Sequence, residues 1–325
     1  MGSASVFARV ITVLGVALFS GLPAAAGAQT YPNKPVRVIV AFAAGGFADT
    51  TTRAITQKMS DRLGQSFVVD NRGGAGGNVG AKIAAGATPD GYTLLTHTAA
   101  SSINVTLYRN VGFDLLKDLV PVGNTVSVAG LFTVLASHPA KDLRDLIQNS
   151  KGRRVSYATA GVGTSSHIAA DYLLRVLAKL DAVHVPFKGG APAVIAVLGN
   201  QVEILNSSAA AVPHVRAGRM KALAVSSLKR IESMPNVPTV AEAGYPGFEE
   251  RSWVGFFAPA GTPAAVIKVL NQEINNALAA PDNVRNFKSL GMDLHPGSPA
   301  DFRRYLQQEV AKWSKMIKTT GVKID

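Results

Sequence analysis

The apolar and polar positions of this chain repeat one device. Val36-Arg37-Val38-Ile39-Val40-Ala41-Phe42 is an apolar run rich in β-branched residues, and it breaks at Gly45-Gly46. Asp49-Thr50 follows, then a helical pattern over residues 51–63. This reads as a buried strand, a tight turn and a helix start. Residues 67–69 read as a short strand that runs into a glycine-rich loop, 70–78, and a small-residue helix covers 79–87. Thr88-Pro89-Asp90-Gly91 is a turn, 92–96 a strand, and its exit from His97 to Ser102 is polar and rich in hydroxyls. A β-α-β-α-β order predicts a mostly parallel sheet covered by helices. Such sheets hold ligands beyond the carboxyl ends of their strands, where these loops lie.

An apolar crossing segment, 119–128, leads to a second unit that begins at 131–136, with a helix over 142–149. The strand at 155–158 runs into Thr159-Ala160-Gly161-Val162-Gly163-Thr164-Ser165-Ser166-His167, and a helix continues to residue 178. Another strand, 184–187, meets Lys188-Gly189-Gly190, and a helix runs to 198. Strands follow at 202–205, ending in Asn206-Ser207-Ser208, and at 221–225; residues 234–239 are proline-stiffened and irregular. The apolar strand 252–258 passes through Pro259-Ala260-Gly261-Thr262-Pro263 into a helix to 280. Ser298 as N-cap and Pro299 at the first helical position start a last helix, to about residue 318. Two α/β units joined by apolar crossing strands predict a cleft between them.

The N-terminus changes the picture of where this fold works. Arg9 is the only charge before Lys34, residues 10–22 are apolar, and Ala26-Gly27-Ala28 offers small residues at a cleavage site. Residues 1–28 therefore read as a secretory signal peptide cleaved after Ala28, too short to be a transmembrane helix. A soluble product in a bacterial periplasm follows. The chain of 325 residues has no cysteine, so an exported form relies on its core rather than on disulfides. Without Arg9 the 33 basic residues become 32 against 21 acidic, a charge of +11. That balance attracts anions. The basic residues are scattered without interleaved aromatics, which favours small anionic solutes over nucleic acid; the same charge also serves solubility.

The glycine turns supply candidate chemistry. The first N–H groups of a helix lack partners within it, the dipole makes that end partly positive, and glycine lets another molecule's oxygens approach. Gly45-Gly46 ahead of a helix is thus a candidate anion site, although an ordinary strand-to-helix turn has the same residues. Catalytic signatures are missing. Residues 73–80 lack the third glycine of a dinucleotide fingerprint, with Val79 in its place, and no loop ends in Gly-Lys-Ser/Thr. In Gly163-Thr164-Ser165-Ser166-His167 the second glycine of a nucleophile elbow is replaced by His167. The histidines at 97, 138, 167, 184, 214 and 295 show no metal spacing. His97 and His167 fall near the cleft as ligand contacts or as supporting residues. Backbone donors and hydroxyls suit binding better than turnover, which needs groups that attack or change proton state.

An ordered set of motifs spans nearly the whole exported chain. It comprises Tyr31-Pro32-Asn33-Lys34-Pro35-Val36-Arg37, Phe42-Ala43-Ala44-Gly45-Gly46 with Ala48-Asp49, and Asn71-Arg72 with Gly74-Ala75-Gly76-Gly77. Pro89-Asp90-Gly91-Tyr92-Thr93-Leu94, His184-Val185-Pro186-Phe187-Lys188-Gly189, Pro238-Thr239-Val240-Ala241-Glu242-Ala243-Gly244, Trp253 with Gly255, and Ala258 to Pro263 complete it. In these the chain resembles the periplasmic solute-binding proteins of tripartite tricarboxylate transporters, the Bug family.

The resemblance implies an α/β, two-lobed periplasmic-binding-protein fold, type II-like (Venus flytrap), with the ligand cleft between lobes. Lobe one would be 30–128 plus 250–325, and lobe two 129–249. It implies capture of a small carboxylate, a di- or tricarboxylate or an aromatic acid, by backbone groups and hydroxyls. Carried onto this sequence, the contacts are Phe42, Gly45, Gly46, Phe47, Asp49, His97, Thr98 and Ser101 from lobe one. Lobe two adds Ala160, Gly161, Gly163, Thr164, Ser165, Lys188, Asn206 and Ser207. Asp49 also reads as a helix cap, and Arg53 as a charge partner one turn on. The membrane subunits of the transporter are the implied partners; no cofactor, metal, nucleic acid or catalytic residue is implied, and the chain would be a monomer. A sensor feeding a signalling receptor, or an exported α/β hydrolase, are the other readings. Two departures stand out: Phe47 replaces a small residue such as serine, and Asn206-Ser207 replaces an aromatic-aspartate pair. Loss of that acid disfavours an ammonium-bearing ligand, and the Phe47 ring favours a flat or aromatic acid if it does not merely pack the turn.

Overall fold

The strands are β1 (Val36–Val40), β2 (Phe67–Asn71), β3 (Thr93–Thr98), β4 (Leu119–Ala129), β5 (Leu131–Leu135), β6 (Arg154–Thr159), β7 (Asp181–Pro186), β8 (Ile204–Ser207), β9 (Met220–Val225), β10 (Arg251–Pro259) and β11 (Met292–Leu294). They form two sheets, one ordered β11-β4-β10-β3-β1-β2 and the other β7-β6-β8-β5-β9. This computed structural model describes residues 31–320, and the signal peptide read at 1–28 lies outside them. From Tyr31 on the chain is one compact unit.

Both sheets are mixed, which corrects the expectation of a mostly parallel sheet. β2, β1 and β3 run parallel, but β10 is antiparallel to both β3 and β4. In the second sheet β6 is parallel to β7 and β8, while β5 is antiparallel to β8 and β9. The reason is the path of the chain. β4 leads into β5 through the single residue Gly130, and the return, 226–250, delivers β10 back into the first sheet between β3 and β4. A strand that returns from another sheet has no crossover helix to restore its direction.

The helices are α1 (Phe47–Leu63), α2 (Asn78–Ala85), α3 (Ala100–Leu107), α4 (Leu143–Asn149), α5 (Ser165–Asp171), α6 (Gly190–Leu198), α7 (Val212–Arg216), α8 (Ala264–Ala279), α9 (Pro281–Ser289) and α10 (Pro299–Thr320). None of them is long and apolar enough to cross a membrane. α5 continues as a π-helical stretch, Tyr172–Leu177, within the single helix the sequence predicts to residue 178. Short α7 and α9 and the edge strand β11 lie where no element is predicted. The polar exit at 97–102 is not a loop: His97 and Thr98 finish β3, and α3 begins at Ala100. Its Ile103 and Leu107 pack against Ile168, Trp313 and Ile317, and that burial outweighs the weak helix propensity of Ser, Thr and Asn. The start of α10 is as read: Ser298 Oγ accepts the Asp301 N–H at 3.1 Å, and Asp301 Oδ2 accepts the Ser298 N–H at 2.9 Å.

Candidate functional site

The turns after β1, β3, β6, β7 and β8 converge from the two sheets. At the mouth the Ala43 N–H donates to the Lys188 carbonyl at 2.8 Å, joining the β1 turn to the β7 turn. Gly46 lies so close to Gly190 that a Cβ there would be 3.4 Å from its nitrogen. At Gly163, φ is +77° and a Cβ would meet Asn104 Oδ1 at 2.2 Å, so only glycine lets the two sides approach this far.

Between these turns lies a partly open cavity of about 40 Å³. That is room for about two or three waters. The first sheet's side supplies Phe42, Gly46, Phe47, Ala48 and Thr98, with Glu250 and Ser252 from the start of β10. The second supplies Ala160, Thr164, Ser165, Ser166, Gly190, Ser207 and Ser208. A second space of about 280 Å³ opens beside it, sharing Phe42 and Ala160 and lined also by Gly74–Gly77, Tyr108, Gly161, Phe187 and Lys188.

Of the residues predicted from sequence, Phe42, Gly46, Phe47, Thr98, Ala160, Thr164, Ser165 and Ser207 meet at the inner cavity, and Gly161 and Lys188 at the outer one. Gly45, Asp49, His97, Ser101, Gly163 and Asn206 line neither. Asp49 is committed to the turn. Its carboxylate accepts the Gly45 N–H at 2.8 Å, Arg53 Nε at 3.0 Å and Asn71 Nδ2 at 2.9 Å. Burial works to raise its pKa, but these bonds hold it below the usual carboxylate range. Arg53 is spent on Asp49 and on Asn71 Oδ1.

His97 is fully buried. Its Nδ1 accepts the Thr98 N–H at 2.9 Å and its ring meets the Phe42 ring edge-on at 5.5 Å, so it braces Phe42 from behind. Burial lowers its pKa to about 4. His167 stacks on His184 at 4.0 Å, and burial lowers these two to about 4 and about 3. Ser101 Oγ donates to the Thr98 carbonyl, and Asn206 Nδ2 to the Ser166 carbonyl. Both residues shape backbone that lines the cavity.

Sequence reasoning missed Ala48, Ser166, Gly190, Ser208, Ser252 and above all Glu250. The first four adjoin predicted turns, so only their exact register was hidden. Glu250 follows Glu249 just ahead of β10, and a charge pair before an apolar strand reads as solvated. It is instead 3 % exposed. Burial pushes its carboxyl above the usual range, against hydrogen bonds from Ser165 and Ser226. No lysine, arginine or histidine lines the inner cavity. Among the described residues no cluster of His, Cys, Asp or Glu could hold a metal ion.

Two mixed α/β sheets, two crossing connections and a hydroxyl-lined cavity between their turns are the frame of a solute-binding protein. Residues 51–322 match the family described as the tripartite tricarboxylate transporter family receptor, TctC, and the chain belongs to that family. Protein BugT of Bordetella pertussis is 34% identical over 97% of this chain and 98% of its own. A structure from R. palustris solved with adipate superimposes with a TM-score of 0.86 at 33% identity, covering 90% of this chain and 99% of that one. MatC from Rhodopseudomonas palustris, with bound malate, gives 0.84 at 33% identity over 88% and 100%.

Proposed function

We propose that this protein captures a small carboxylate where the inner cavity meets the larger space beside it and hands it, unaltered, to the membrane subunits of a tripartite tricarboxylate transporter. The solute is a di- or tricarboxylate or an aromatic acid. The lobes that close on it are 30–128 plus 250–325 and 129–249, and the protein acts in the periplasm as a monomer. The observation that carries this reading is the lining: the start of α1 and seven hydroxyl-bearing residues face one space that, among the described residues, no cationic side chain lines. A carboxylate there is held by neutral donors and the α1 dipole. The adipate and malate bound by the two R. palustris relatives support the same solute class. Binding without turnover fits the hydrogen bonds. No side-chain hydroxyl of the inner cavity is bonded to a histidine ring among the described residues, the pairing that would activate a nucleophile.

A thermal-shift screen of the mature chain against mono-, di- and tricarboxylates, aromatic acids and acidic amino acids tests this. A solute at about 100 times its Kd stabilises the fold by roughly 2.7 kcal/mol. In a protein of this size that raises Tm by a few degrees. The expected result is a shift with one acid class and full recovery of the acid afterwards. Silence across the panel, or loss of the acid with time, would count against it.

A further inference from the structure

Among the described residues Glu250 is the one acidic or basic residue lining the inner cavity, and it sits where the two crossing segments meet. Gly130 is the first crossing, and a Cβ on it would lie 2.2 Å from Glu250 Oε2. Ser226 and Glu250 bound the second. Ser226 accepts the Glu250 main-chain N–H at its carbonyl at 2.9 Å, and its own N–H donates to the Gly130 carbonyl at 2.9 Å. A change at this carboxyl therefore touches both the solute and the strands about which the lobes would move.

Counting hydrogens leaves room for a proton on Glu250. Ser226 Oγ accepts the Gly130 N–H at 2.6 Å. The same oxygen lies 2.6 Å from the Glu250 carbonyl, 3.2 Å from the Gly130 carbonyl and 2.9 Å from Glu250 Oε2. A hydroxyl has one hydrogen to give and two lone pairs to receive with. Its hydrogen goes to the Glu250 carbonyl, the shorter contact. The contact with Oε2 then has at most a share of that hydrogen, and a carboxyl that keeps its proton can supply one instead. Asn206 Oδ1, on the same side of Gly130, is a buried acceptor without a donor and would lie 3.0 Å from the same Gly130 Cβ. Its orientation is fixed, since Nδ2 donates to the Ser166 carbonyl.

The surroundings offer little to keep Glu250 ionised. Ser165 at the head of α5, Ser226 and the Gly130 N–H face it as neutral donors, and Lys312 of α10 is the charged group that acts on it. Lys312 is exposed and lies 2.6 Å from Glu309 Oε1. An ionised Glu250 and a solute carboxylate would share one small space with no cation between them, and like charges so placed drive one site to take a proton.

We propose that Glu250 reads the captured solute at the hinge end of the cavity as a neutral carboxylic acid, so that an anionic carboxylate and one proton enter the site together. This rests on the carboxylate reading above. A solute without an ammonium group is selected, because a neutral acid offers a cation no counter-charge. Where the empty site is ionised, the proton comes from solvent.

Calorimetry on the mature protein with malate and with adipate tests this, from about pH 6.5, where both acids are ionised, to about pH 9. Kd should rise by up to about tenfold per pH unit above the titration of Glu250. Buffers of different ionisation heat should report close to one proton taken up in that range. Glu250→Gln should make binding independent of pH and, at the alkaline end, tighter than in the unsubstituted protein. The infrared spectrum of the loaded protein should hold a carboxylic-acid carbonyl band that Glu250→Gln removes. Carboxylate binding with no pH dependence and no proton uptake would overturn this inference and leave the carboxylate reading standing. So would aspartate binding more tightly than malate with that advantage lost in Glu250→Gln, because Glu250 would then be an ionised partner for ammonium. Failure of every carboxylate to bind at any pH would overturn both. The proton count needs no variant, so it decides even if Glu250→Gln folds poorly.

Discussion

Phe47 narrows the inner cavity with one side chain. It stands at the first position of α1, is 7 % exposed and forms part of the inner wall. A serine there would leave the N–H donors in place and enlarge the space. Phe47→Ser should shift the preference between adipate and malate toward the longer acid by roughly tenfold, the scale of one or two methylenes in a pocket. Competition calorimetry measures it, and an unchanged ratio would reduce Phe47 to packing the turn. The turn residues around it could be read from sequence because glycine followed by a helix start has a local cause. Asp49 was readable only as a choice between cap and contact, and three bonds to Gly45, Arg53 and Asn71 give it to the cap. Glu250 could not be read at all, since its burial is made by Gly130 and Ser226, far away in sequence.

Among the elements, α10 ties the core together through one carboxylate. Glu309 Oε2 accepts the indole N–H of Trp253 on β10 and of Trp313 on its own helix, each at 3.0 Å, and both rings are fully buried. Glu309→Ala would strand two buried donors at roughly 1–3 kcal/mol each. The expected loss is about 2–5 kcal/mol by urea denaturation, while Glu309→Gln, which keeps an acceptor oxygen, should cost well under half of that. A loss below about 1 kcal/mol for the alanine variant would mean that water replaces the carboxylate. The start of α10 was readable from Ser298-Pro299 because a cap is local. The length and place of α3 were not, because its helix depends on Trp313 and Ile168 packing against it.

For the whole molecule the buried histidines govern acid stability. His97, His167 and His184 have folded pKa values lowered to about 4, 4 and 3, below the ordinary 6.5. The unfolded chain therefore binds more protons than the folded one between about pH 6.5 and 4, and stability falls as pH falls through that window. Glu250 works the other way: its raised pKa makes the folded state the better proton binder above the ordinary glutamate value. Near pH 5 the three rings by themselves account for close to three protons, a slope of about 4 kcal/mol per pH unit before the opposing contribution of Glu250. Denaturant titrations at pH 7, 6 and 5 should show stability dropping progressively, and His184→Gln should flatten the slope by about one proton. A stability that is level from pH 7 to 5 would contradict the burial of these rings.

The sequence by itself determined the strand-turn-helix units, the glycine turns that become the cavity mouth, the cap of α10, and the ordered motifs that identify the family. Each of these is set by neighbours within a few residues, through propensity, capping or backbone freedom. The tertiary structure alone decided the mixed direction of the sheets, the helix at α3, and which predicted residues line the inner cavity. Those depend on where β10 returns and on which side chains from distant segments shut out water. Hence His97, Asp49 and Asn206 brace the site from behind, and an acid that reads as surface charge faces its interior.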